Sequence, residues 1–197
     1  MTQRSLTRIL AAVLTVIVAG CSFAFFVRVR DGMGSTNLTN WIPWGLWVAF
    51  YIYFIGLSAG SFLLSTLVYV FGVEAFEQVG RAALFTALVM LGIGLAFILL
   101  DLGHMERFIT VYTHPQFGSV LSWEILAYAL YIAIMCAELW LLTRCDLAVL
   151  RESTRGPLHL LYRLLAFGTV DISWAARRRN QGWVTPVALV GLPVAIA

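Results

Sequence analysis

Between Asp31 and Glu74 the chain carries no charged side chain. A stretch of that kind suits a lipid environment. The hydrocarbon core of a bilayer is about 30 Å thick and takes about 20 mostly apolar residues as a helix. Inside it every backbone N–H and C=O must be satisfied by the chain itself, which leaves helices as the way for such runs to cross. Residues 44–71 are the most apolar part of the stretch. Three further runs share the pattern: 9–27 between Arg8 and Arg28, 82–100 between Arg81 and Asp101, and 119–142, interrupted by Glu124 and Glu138. The expected fold is an all-α, polytopic transmembrane helix bundle, with full spans at about 9–27, 44–71, 82–101 and 119–142.

Composition removes the competing classes. Apolar residues make up 61% of the chain and charged residues 12%, against about 25% charged in soluble domains. Too few polar residues remain to cover a water-facing surface. A soluble enzyme, a disordered tail and a nucleic-acid-binding module are therefore excluded, and the first partner implied is membrane lipid. The cysteines Cys21, Cys136 and Cys145 are scattered, with no spacing that suits a disulfide framework or a metal.

Residues 183–197 begin a fifth apolar run that is too short to span. The reading preferred here is a single membrane domain that forms the N-terminal half of a longer chain, over a re-entrant tail. Val18-Ala19-Gly20-Cys21 resembles a lipoprotein cleavage site, but Phe23, Phe25 and Phe26 continue the apolar run, so a retained helix is expected. Arginines set the orientation. Arg4, Arg8, Arg81, Arg144, Arg151, Arg155, Arg163, Arg177, Arg178 and Arg179 fall on one side, and Arg28, Arg30 and Arg107 on the other. The N-terminus is expected in the cytoplasm. Residues 143–182 are expected to be a cytoplasmic segment, with a surface helix over 158–176 whose His159, Arg163 and Asp171 argue against a span.

Ionisable groups at membrane depth are costly and mark function. Asp101 closes the third span, and Glu124 and Glu138 stand near the two ends of the fourth. Glu124, Tyr128, Tyr131, Met135 and Glu138 are spaced 4, 3, 4 and 3, which places them on one helical face. Such a stripe offers a proton route, or else Glu138 reaches the cytoplasmic headgroups while Glu124 is a satisfied packing group. If the third helix continues, Asp101 and His104 share a face, and a carboxylate beside an imidazole would accept protons at the membrane surface. The alternative is a helix end capped by local polar groups. Haem is not expected, because His104, His114 and His159 all fall outside the spans, where they could not ligate in facing pairs. The Trp41, Trp44 and Trp47 cluster suits an interfacial belt. Gly56 and Gly60, a small-residue pair, suit helix packing within the bundle.

Three sets of residues resemble a known family: Trp44-Gly45-Leu46-Trp47 opening the second span; Asp101-Leu102-Gly103 and then Arg107-Phe108 closing the third; and Ser119-Val120-Leu121-Ser122-Trp123-Glu124 opening the fourth, followed by Tyr128 and Tyr131. Their order is similar to that of the NrfD/PsrC membrane subunits of polysulfide-reductase type. It is closest to the branch found with hydrogenase-2 and sulfite-reduction-associated complexes. The resemblance implies a helical subunit of eight to ten spans in the bacterial cytoplasmic (inner) membrane. It implies a diffusible menaquinone or menaquinol site toward the outer face, with no haem or iron–sulfur cluster in this subunit. It also implies an iron–sulfur (ferredoxin-like) partner and a separate catalytic subunit: a molybdopterin enzyme, a hydrogenase or a multihaem cytochrome. On this reading Asp101, His104 and Glu124 handle protons, while Trp44, His104 and Tyr128 line the quinone pocket. The family often carries Arg-Pro directly after Asp-Leu-Gly, whereas this chain has His104-Met105. Two other classes fit less of the pattern. A secondary transporter would show internal repeats and polar groups at the midplane, and a purely structural anchor leaves Asp101 and Glu124 unexplained.

Overall fold

The apolar runs are helices, and four of them are long and apolar enough to cross a membrane. The computed structural model describes residues 3–153, 156–166 and 173–196. Helix α1 is Gln3–Asp31, α2 is Leu46–Tyr69, α3 is Glu77–Asp101, α4 is a single turn at Thr110–Thr113, α5 is Val120–Ser153, α6 is Pro157–Leu165 and α7 is Trp174–Ile196. Among the described residues the one β feature is an isolated bridge between Thr39 and Ile42, in the connection that leads into α2.

Helices α2, α3, α5 and α7 meet around Phe62, Leu84, Leu91, Tyr131, Met135 and Val184. Without water, polar side chains stitch these helices together by bonding backbone carbonyls across the interfaces. Ser58 Oγ donates to the Ala87 carbonyl at 2.7 Å, joining α2 to α3. Thr185 Oγ1 donates to the Tyr69 carbonyl at 2.8 Å, joining α7 to α2. Toward the end of the bundle where α2 finishes and α3 begins, Arg81 and Asp146 form a 2.7 Å ion pair between α3 and α5. Both side chains are partly exposed, so the pair contributes little to stability.

Several boundaries differ from those expected. Helix α5 does not stop at Leu142 but runs on to Ser153, carrying Arg144, Asp146 and Arg151 out of the apolar stretch. The surface helix expected over 158–176 corresponds in its first part to α6, where Trp140 Nε1 holds the Leu165 carbonyl at 2.7 Å. Asp171 lies outside the described residues, and the end of that stretch belongs to α7. The apolar run from Trp183 is the second part of α7, which contains Pro186 and Pro193. Within this chain a Cβ at Gly56 or Gly60 would meet nothing within 4 Å, while Ser58, Phe62 and Ser65 are buried.

The close approach is made elsewhere. A Cβ on Gly191 would lie 2.8 Å from Ile134 Cγ2 and 2.9 Å from Phe62 Cζ, so only glycine lets α7 sit this near α2 and α5. Gly191→Ala should overpack this contact at a cost of about 1–3 kcal/mol. The expected result is a lower thermal unfolding midpoint in detergent; an unchanged midpoint would show that the helices yield without strain.

Candidate functional site

Helices α3 and α5 diverge near the ends where Asp101 and Val120 stand, and a cavity of about 430 Å³ opens between them. Its volume lies within the range of small-molecule sites, about 300–1,000 Å³. Gly92 and Ala96 of α3 and Ala129 of α5 leave the space unfilled, while Leu95, Leu99, Leu121 and Ile125 give it apolar walls. The segment that connects α3 to α5 contributes Leu102, Phe108 and Tyr112. Phe108 and Tyr112 pack edge to face, with ring centroids 5.6 Å apart.

One polar cluster faces this apolar space. Tyr51 of α2 and Glu124 and Tyr128 of α5 all line the cavity. Glu124 and Tyr128 are four residues apart on one helix face, where side chains meet, and the Tyr128 hydroxyl donates to Glu124 Oε1 at 2.9 Å. The Tyr51 hydroxyl donates to the same carboxylate oxygen and also lies against the Tyr128 hydroxyl. The two phenol rings are perpendicular, with centroids 6.3 Å apart. Glu124 is the one carboxylate among the described lining residues, and it accepts two phenol hydrogen bonds through one oxygen. Such a network can pass a proton between a bound hydroxyl and the carboxylate by way of a phenol.

The other candidates stand apart from the cavity. Helix α3 ends at Asp101, and Leu102 is extended, with φ −65° and ψ 131°. The i, i+3 face that would join Asp101 to His104 therefore does not form. His104 is exposed and places Nδ1 2.9 Å from Glu106 Oε1. Backbone hydrogen bonding at Glu106, together with this contact, holds the Glu106 carboxyl below its ordinary range. Asp101 Oδ1 is buried without a hydrogen-bond partner, next to the guanidinium of Arg28. Arg28 Nε donates to the Leu100 carbonyl at 3.1 Å and Nη2 to the Leu102 carbonyl at 2.6 Å. The permanent cation beside Asp-Leu-Gly thus comes from α1, while position 104 holds an imidazole turned toward Glu106. Trp44 is exposed and outside the cavity; it is Trp47 whose ring receives the Arg28 guanidinium, 5.5 Å from its centroid.

Farther along the same face of α5, Tyr131, Met135 and Glu138 are buried, and Phe62 packs edge to face on Tyr131 at 5.3 Å. Glu138 Oε1 has no hydrogen-bond partner. Among the described residues no three His, Cys, Asp or Glu side chains gather as a metal site. Sequence reasoning missed Tyr51 and Arg28. Nothing near Tyr51 on its own helix marks it, and Arg28 reads as an ordinary charged flank to an apolar run.

Comparison with known proteins extends this picture. Residues 34–196 match the model of the polysulphide reductase, NrfD family. The chain is 42% identical to a selenate reductase subunit of Mesobacillus selenatarsenatis, over 97% of this chain and 46% of that protein. It is 32% identical to a putative dimethyl sulfoxide reductase membrane subunit of Halobacterium salinarum, over 94% of this chain and 39% of that protein. It is also 32% identical to the Hdr-like menaquinol oxidoreductase integral membrane subunit of Archaeoglobus fulgidus, over 62% of this chain and 31% of that protein. The chain spans less than half the length of each of these relatives.

Glu124→Ala should leave the Tyr51 and Tyr128 hydroxyls without their acceptor, at a cost of about 1–3 kcal/mol, whereas Glu124→Gln keeps an acceptor oxygen in place. The Ala variant should therefore unfold at a lower temperature than the Gln variant. Equal midpoints would show that the phenols find other partners.

Proposed function

This chain belongs to the polysulphide reductase, NrfD family, and on that premise we propose that it is the quinol-interacting membrane subunit of a respiratory oxidoreductase complex. The observation that carries the proposal is the cavity between α3 and α5, with its apolar walls and the single Tyr51–Glu124–Tyr128 cluster facing it. A quinol is a flat apolar ring with a hydroxyl at each end, and this geometry suits it. The apolar walls hold the ring, and the phenols orient one hydroxyl toward Glu124. The name of the menaquinol oxidoreductase relative supports menaquinol as the substrate.

Oxidising a quinol releases two protons and two electrons. In the proposed site a quinol hydroxyl gives its proton to Tyr128 or Tyr51 as that phenol passes its own to Glu124, the arrangement general-base catalysis needs, and the second proton follows once Glu124 has handed on the first. The electrons leave to an iron–sulfur partner subunit and from there to a catalytic subunit, either a molybdopterin enzyme, a hydrogenase or a multihaem cytochrome. The buried stripe of Tyr131, Met135 and Glu138 on the same helix face supports a proton route deeper into the membrane. The complex would reside in the bacterial cytoplasmic membrane, with the N-terminus of this chain inside. Asp101, His104 and Trp44 stand outside the lining of the cavity, so the proposal rests on Glu124, Tyr128 and Tyr51.

In the intact complex, Glu124→Gln should lower quinol-linked electron transfer by about 10²-fold, the lower end of what a positioned acid–base group contributes. Reduction of the terminal acceptor by an artificial dye, which bypasses the quinol, should stay at the wild-type rate. His104→Ala should leave both rates unchanged. Wild-type quinol-linked turnover in Glu124→Gln would remove this site from consideration. Filling the cavity tests the same reading sterically: Ala129→Phe should abolish quinol-linked turnover in a complex that still assembles.

A further inference from the structure

We infer that Arg28 is a positioning residue: it clamps the end of α3 and so fixes the 102–118 segment that closes the outer side of the cavity. The part of this inference that concerns turnover rests on the quinol reading above; the structural part does not.

Helix α1 is exposed within the chain at every position from 6 to 26, and Arg28 is the one buried side chain described on it. Arg28 as a whole is 4% exposed. A buried cation is costly unless its donors are bonded, and here Nε and Nη2 both are. Nε and Nη2 reach the carbonyls of Leu100 and Leu102, Nη2 also lies 2.9 Å from Met33 Sδ, and the planar face meets Trp47. One side chain thereby joins α1, the Gly32–Ser35 turn, α2 and the end of α3.

The location explains the need. The last carbonyls of a helix have no partner within it, and that end carries the negative pole of the helix dipole. Asp101 adds a carboxylate at the same point, with Oδ1 buried and unpartnered. A cation belongs there, and a guanidinium bonds the carbonyls on both sides of Asp101 through a rigid planar fork, a geometry that the compact ammonium of a lysine does not supply. Immediately beyond, Leu102 is extended and lines the cavity, as do Phe108 and Tyr112. At its far end the segment is tied by Trp123 Nε1, which donates to the Phe117 carbonyl at 2.9 Å. The Arg28 clamp sets the start of the segment and hence where Phe108 and Tyr112 stand.

The test uses the full-length protein in its native complex. With Arg28→Gln, hydrogen–deuterium exchange at residues 102–118 should quicken by roughly tenfold, the measure of a lost charge-assisted bond, while exchange at 125–142 stays as in wild type. With a short-chain naphthoquinol as substrate, KM should rise by roughly tenfold and kcat should change little, because binding rather than chemistry is disturbed. Arg28→Lys should fall between the two, since it keeps the charge and loses the fork. Wild-type exchange at 102–118 in Arg28→Gln would overturn the clamp. Faster exchange with an unchanged KM would support the clamp and count against quinol binding in this cavity. If Arg28→Gln does not accumulate, Arg28→Lys decides: faster exchange supports the two-carbonyl fork, and wild-type exchange overturns it.

Discussion

The absence of water governs this molecule. Polar groups at membrane depth have no water to bond, and although Asp101 Oδ1 and Glu138 Oε1 stay unpartnered, several others find partners within the chain. Ser58 meets the Ala87 carbonyl, Thr185 meets the Tyr69 carbonyl, and Glu124 meets two phenols. The bonds of Ser58, Thr185 and Tyr51 cross between helices, so each fixes the position of one helix against another as well as satisfying an atom, while the Tyr128–Glu124 bond lies within α5. The apolar contacts around Phe62 and Met135 fill space, but lipid is as apolar as they are and gives them little direction. Orientation comes from the few polar groups, which is why so much of the architecture can be described through them.

The fold class was legible because helix formation in an apolar run is a local matter. Glu124 and Tyr128 were legible for the same reason: they lie four residues apart on one helix, and spacing alone brings them together. Tyr51 was not, since its partners are 73 and 77 residues away and no local pattern carries that information. The expected Asp101–His104 pair depended on α3 continuing, and the extended backbone at Leu102 ends it. Gly56 and Gly60 form a recognisable motif that meets no neighbour within this chain; which side of a helix meets its neighbour is decided by the bundle. Arg28 is the sharpest case. As a sequence feature it marks the end of an apolar run, and as a structural feature it marks the end of a different helix.

Two ends of the bundle are built on different principles. Where α3 finishes, charge is buried and shared: Arg28 holds two carbonyls beside Asp101. Where α3 begins, charge is left near the surface, in the partly exposed Arg81–Asp146 pair, whose attraction water and salt weaken. The first end is sensitive to small changes in geometry because its groups have no water to fall back on. The second can rearrange at little cost.

The cavity has a depth as well as a volume. Its wall on α3 runs from Gly92 to Leu99, roughly 10 Å at 1.5 Å per residue, which is about a third of a 30 Å hydrocarbon layer. A ligand that enters it from the lipid is already dissolved in the bilayer on arrival. Its occupancy is then governed by its mole fraction among the lipids rather than by its concentration in the buffer. Two ligands with equal contacts to the walls would differ in apparent affinity by the ratio of their partition coefficients, and lengthening an apolar tail would tighten binding without touching the protein.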